Sequence, residues 1–295
     1  LKDAGIDANP VLVSTISNGI VNISIPDYHS FDKVMAFVEL DEKTYVLDAT
    51  NKFLPVNLIP EDVLYTEGLV IKKPESYDWG WHTLWDPEGQ YRNFVFVNGQ
   101  IKENGTLTGN VEITSDQYER LQRVKSLHKG KKEFEAKYLQ AGGDVTISNL
   151  VIENETIDSL SLVQRFDFEK KLNNTGEYLF MPFNLFSDFE KNPFIADTRA
   201  SDIYFGANQQ VVLIGSYKIP DAYIIEAPLK NTRMIMPDTS IVFSRIGSFE
   251  EGVFSIRVTV DFKRPIFVKD DYPYFQEFYK KLFELLNEPL ILKKK

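Results

Sequence analysis

The sequence predicts an α+β protein that is mostly β: an antiparallel sheet followed by an antiparallel β-sandwich with a C-terminal helix. Three observations predict it. The chain holds 22 Phe and 14 Tyr among 295 residues, and aromatic side chains pack well on a pleated surface. Short runs alternate apolar and polar residues between turn residues. The clearest is Gly252 to Lys263, where Phe254, Ile256, Val258, Val260 and Phe262 share one face, the period of a half-buried strand. Finally, Pro273 to Asn287 carries a helical stripe of Phe275, Phe278, Leu282 and Leu285, with Glu277 and Lys281 placed as an i,i+4 pair.

The elements follow in order. Leu1 to Gly5 reads as the last turn of a helix closed by a glycine, which predicts a fragment whose upstream part is missing. Asn9 to Thr15 is a short apolar strand. Phe31 to Thr50 (FDKVMAFVELDEKTYVLDAT) is a hairpin turning at Asp41-Glu42-Lys43. Val34, Ala36, Val38 and Leu40 take one face of its first strand and Met35 and Phe37 the other, so that strand is expected to be central. The segment NKFLPVNLIPEDVL, with two prolines, is a loop covering the sheet. Gly68 to Lys72 is a strand, and a boundary is expected near Lys73-Pro74-Glu75.

Beyond it, Tyr91 to Val97 is a strand ending at the hairpin-turn signal Asn98-Gly99, and 107–113 alternates as its partner. A helical stretch over 115–140 starts at the N-cap candidate Ser115 and breaks near Gly130. Strands are expected at 145–153, 160–168 and 178–182, with a helical turn within 183–190. The strands 211–218, 222–226 and 240–245 complete the sandwich. The domains so predicted are 1–75, 76–190 and 191–295.

Composition narrows the function. A net charge of −10, with Lys293-Lys294-Lys295 as the one basic cluster, argues against nucleic acid, whose phosphates need a basic patch. No apolar run approaches the roughly 20 residues of a membrane-spanning helix. The chain has no cysteine, which excludes disulfides, thiolate metal sites and a cysteine nucleophile within it. No metal-binding histidine spacing and no cofactor motif occurs, so neither a metal nor a cofactor is expected. His29, His82 and His128 lie far apart in unrelated contexts. The segment Tyr77 to Trp85 holds all three tryptophans, and in an extended strand Trp79 and Trp81 share a face. With Trp85 they form a possible ligand platform for a sugar or peptide; packing against a domain boundary is the plainer alternative.

From Leu1 to Ile71 the chain resembles the second half of a transglutaminase-like, papain-related core, through LKDAGI, PVLVST, FDKVMAFVEL, YVLDAT and GLVI. NPFIADTR at 192–199, KIPDAYIIEAP at 218–228 and the aromatic helix resemble the β-rich C-terminal domain of unknown function that follows such cores in bacterial, frequently Bacteroidetes, proteins. The resemblance implies an extracytoplasmic location, periplasmic or cell surface. It also implies a cysteine upstream, a histidine where Lys33 stands, and an orienting carboxylate that survives as Asp48. In such a site a base near neutral pKa deprotonates the thiol while the carboxylate fixes the base. Lysine, with an ordinary pKa of about 10.4, serves poorly, and an adjacent Asp48 would push it higher.

The expectation is therefore a non-catalytic scaffold or binding module with remnant positions Lys33 and Asp48 and a protein or cell-wall carbohydrate as partner. One alternative is part of an active transglutaminase-like acyl-transferase or cysteine peptidase whose nucleophile lies upstream, with His29 or an unidentified residue as base. The other is carbohydrate binding through the tryptophans.

Overall fold

The structure, a computed structural model, describes residues 1–25, 27–41, 43–73, 78–139, 144–189 and 191–295. It is mostly β, with antiparallel sheets and a C-terminal helix, in two compact units, Leu1–Gln90 and Tyr91–Lys295.

The first unit is one five-stranded sheet. Its strands are β1 (Ala8–Val13), β2 (Lys33–Leu40), β3 (Lys43–Leu47), β4 (Glu67–Lys73) and β5 (Asp78–Thr83), in the order β3-β2-β1-β4-β5. The predicted hairpin is therefore β2–β3, its Glu42 lying outside the described residues, and β2 is interior. Val11, Val13, Met35, Phe37, Val46 and Val70 form the core face, closed by Val63 and Leu84 from the connecting segments. Phe37 on β2 meets His82 on β5 with ring centroids 4.8 Å apart. Two strands intervene, a span of about 14 Å on a flat sheet, so the sheet curls around this core. The other face stays partly open: Val34 is 63% and Trp79 50% exposed.

The boundary differs from the expectation near residue 74, of which positions 74 and 75 lie outside the described residues. Strand β5 pairs with β4 through Leu69↔Trp81 and Ile71↔Trp79, which extends the first unit to Gln90.

The second unit is built on an eight-stranded sheet. Strands β6 (Gln90–Ile101) and β7 (Thr106–Asp116) precede helices α1 (Gln117–Lys129) and α2 (Lys131–Tyr138). Next come β8 (Val145–Glu153), β9 (Leu162–Lys171), β10 (Asn173–Asn174), β11 (Tyr178–Met181) and β12 (Ile203–Tyr204). They are followed by β13 (Asn208–Lys218), β14 (Tyr223–Ala227), β15 (Thr232–Ile235), β16 (Ile241–Glu250), β17 (Val253–Phe262) and β18 (Ile266–Phe267). Helix α3 (Tyr272–Leu286) and β19 (Leu290–Lys294) close the chain. The large sheet runs β15-β16-β17-β13-β6-β7-β9-β8, beside a four-stranded sheet β10-β11-β19-β14 and the pair β12-β18. One core unites them, so the expected division between 76–190 and 191–295 falls inside this unit.

The alternation along β17 faces the core as expected, and α3 buries Phe275, Phe278, Tyr279, Leu282, Phe283 and Leu286. Four local expectations fail. Asn98-Gly99 is not a turn but lies inside β6, and the chain reverses between Lys102 and Gly105. Ser115 does not cap α1; it is the penultimate residue of β7 and donates to Asn93 Oδ1 at 3.1 Å, while Asp116 holds the cap position. The described part of 183–190 forms bends, with Phe186 and Asp188 left-handed at φ 61° and 64°. Lys281 pairs with Glu284 at 2.9 Å rather than with Glu277.

Candidate functional site

Residues 33 and 48 come together because β2 and β3 pair antiparallel with Ala36 opposite Leu47, which leaves Lys33 at one strand's start and Asp48 just past the other's end. Lys33 Nζ donates to Asp48 Oδ2 at 2.7 Å. A third group was not legible in the sequence. Asp62, on the turn Glu61–Val63, accepts from the same ammonium at 2.9 and 3.2 Å. Its signal would have been an acidic residue on the loop covering the sheet, but loop placement is not encoded by period. Asp48 is held from its other side, where the Thr50 backbone N–H and hydroxyl donate to Oδ1 at 2.9 and 2.6 Å.

The electrostatics follow. Burial alone would lower the Lys33 pKa, but the hydrogen bonds to Asp48 and Asp62 and their charges outweigh it and hold it above the ordinary lysine value. Burial alone would raise Asp48; the Lys33 and Thr50 hydrogen bonds hold it below the ordinary aspartate value. Lys33 is therefore a fixed ammonium between two carboxylates. Such a group has no lone pair to accept a proton at neutral pH. Its chemistry is that of a cationic tie between the hairpin and the covering turn.

Lys33→Met is expected to destabilise the first unit by about 1–3 kcal/mol, because Asp48, with its side chain only 4% exposed, loses a charged donor. All three tryptophans lie in this unit, so their fluorescence during urea unfolding reads the loss. The sign with pH is fixed by the two shifts. The Asp48 contribution is present above its unfolded pKa, near 3.8, and disappears as pH falls through its depressed folded value. The Lys33 contribution is full below 10.5 and disappears as pH rises through its raised folded value. The gap between wild type and variant should therefore be widest between those limits and close at both ends.

The histidines do not join this site as a group. His29 is exposed, its ring tilted against that of Tyr28, His82 packs on Phe37, and His128 lies 3.2 Å from Glu155 in the second unit. Among the described residues no cluster of His, Cys, Asp or Glu could hold a metal ion, and no helix is long and apolar enough to cross a membrane. The tryptophans divide. Trp79 and Trp81 share the open face of β5, with Trp81 6.2 Å from the Phe31 ring. Trp85 lies beyond the strand, 4.0 Å from Tyr65, and lines a separate recess with His82 and Tyr45.

A domain of unknown function, DUF3858, matches residues 177–292. The match runs from the edge of β11 into β19, which pair directly, Leu179 opposite Leu292. Among solved structures, a crystal structure from Parabacteroides distasonis described as "a putative protease" is similar over 99% of this chain. It is 10% identical with a TM-score of 0.50, and this chain spans 41% of that one. No curated protein matches. The similarity carries the fold alone.

Proposed function

We propose that this chain is a non-catalytic extracytoplasmic scaffold or binding module, a degenerate transglutaminase-like core joined to a β-rich unit that includes the DUF3858 region. The observation that supports it is the Lys33 ammonium clamped between Asp48 and Asp62. A base at that place would have to be neutral, and two adjacent carboxylates oppose neutralisation. Asp48 keeps the contact expected of an orienting carboxylate, but the group it orients is charged at neutral pH. The similar P. distasonis structure is described as a protease candidate; here the alternative of an active acyl-transferase or peptidase needs a base that Lys33 does not supply.

The test has two parts. Titration of Lys33 followed at its Cε by NMR should place its pKa above the ordinary 10.5, and a value near neutrality would sink the proposal. Peptide hydrolysis and glutamine transamidation assays should show no turnover, and turnover abolished by Lys33→Met would equally overturn it. A second reading, an aromatic platform for carbohydrate, is favoured by the half-exposed Trp79 beside Trp81. It excludes Trp85 and predicts that Trp79→Ala removes glycan binding without lowering stability.

A further inference from the structure

A recess of about 270 Å³ in the second unit is lined by residues from distant parts of the chain, including Asn93, Glu119, Asp188, Phe189, Tyr279 and Phe283. Its polar wall is built and buried. Arg123, fully buried, donates to Glu119 Oε1 at 2.7 Å, Gln164 Oε1 at 2.8 Å and Asp188 Oδ2 at 2.5 Å. The two carboxylates therefore reach the recess with part of their charge already neutralised. Among the described residues Glu119 spends only Oε1. Asn93, 3% exposed, takes Ser115 on its Oδ1 and offers its amide N–H toward Asp188 at 3.4 Å.

The other wall is aromatic, and it holds the deciding group. Tyr279 is 3% exposed, its ring packed on Phe194, Phe275 and Phe283. Its hydroxyl has no hydrogen-bond partner among the described residues, and the residue lines the recess. Burial accordingly pushes its pKa up. A nearly buried phenol with no partner among the described residues, in the lining of a recess, asks for one.

We propose that this recess binds a neutral polyhydroxylated ring, a single pyranose unit, with Tyr279 and Asn93 as donors, Glu119 as acceptor, and Phe283 and Phe189 against its C–H face. A cation is disfavoured because Arg123 already occupies the carboxylates and Lys191 also lines the recess, and an anion because Glu119 and Asp188 face it, so the lining charges balance. The walls offer donors, acceptors and aromatic rings at the scale of one sugar ring. The proposal is independent of the silent Lys33 site and of the Trp79 face.

The test is calorimetric titration of the whole chain with methyl glucoside, methyl galactoside and methyl N-acetylglucosaminide, each taken to about 50 mM since single rings bind in the millimolar range. At least one should bind. Tyr279→Phe should weaken it about three- to tenfold, the worth of one neutral hydrogen bond, while the thermal midpoint stays unchanged or rises. Trp79→Ala should leave the affinity intact. No binding by any of the three, binding indifferent to Tyr279→Phe, or binding lost with Trp79→Ala would each overturn the proposal.

Discussion

Arg123→Ala is expected to destabilise the second unit by about 3–5 kcal/mol, the range for removing one partner of a buried ionic cluster. Three losses combine. Glu119 and Asp188 are left facing each other without their shared cation. Gln164, fully buried, loses the charged donor at its Oε1. The Tyr138 ring, 4.4 Å from the guanidinium, loses a cation–π contact. Arg123→Lys should recover little, because an ammonium cannot present the planar fork that reaches three acceptors at once. Urea unfolding followed by far-ultraviolet circular dichroism checks both variants. A loss below about 1 kcal/mol for Arg123→Ala would mean that the carboxylates rehydrate through the recess at no cost, and the cluster would then not be structural.

The contrast between Arg123 and β17 shows what the sequence could and could not reveal. Phe254 to Phe262 announce a strand because burial on one face of a pleat imposes a period of two, visible within ten residues. The stripe of α3 announces itself in the same way at a period of 3.6. Arg123 has no such signature. Its acceptors lie 4, 41 and 65 positions away, and on a helix an arginine looks solvated until the fold supplies them. Arg120, which donates to the carbonyls of Asn154, Glu155 and Leu160, was hidden for the same reason.

The Lys33–Asp48 pair was legible because one hairpin brings both residues together, and hairpin geometry is local. Asp62 was not, since it arrives on a covering turn 29 positions from Lys33. The recess around Tyr279 was least legible of all. It draws on β6, α1, the bends near 188 and α3, and only tertiary packing assembles them. The misplaced boundary has a local cause: the polar stretch Lys72-Lys73-Pro74-Glu75-Ser76 resembles a linker, yet β5 returns to pair with β4.

The Asn98-Gly99 misreading has its own physical account, and it yields the sharpest steric prediction. Gly99 is opposite Gly109 in the β6–β7 ladder. Tyr217, fully buried on β13, lays its ring over Gly99 and Gly215. These glycines mark a close approach within strands, the second meaning a strand glycine can carry besides a turn. A Cβ on Gly109 would sit 2.1 Å from the Asn98 carbonyl oxygen and 2.8 Å from the Gly99 Cα, both backbone atoms. Neither can rotate away, so the β6–β7 ladder itself must part. Gly109→Ala is expected to cost about 3 kcal/mol or more, at the upper end of overpacking effects. Gly99→Ala meets side-chain atoms instead, Tyr217 at 2.9 Å and Leu107 at 3.0 Å, which can yield by small rotations. It should cost clearly less. Denaturant midpoints of the two variants test the order, and equal or reversed losses would show that the Tyr217 ring, not the backbone contact, sets the limit.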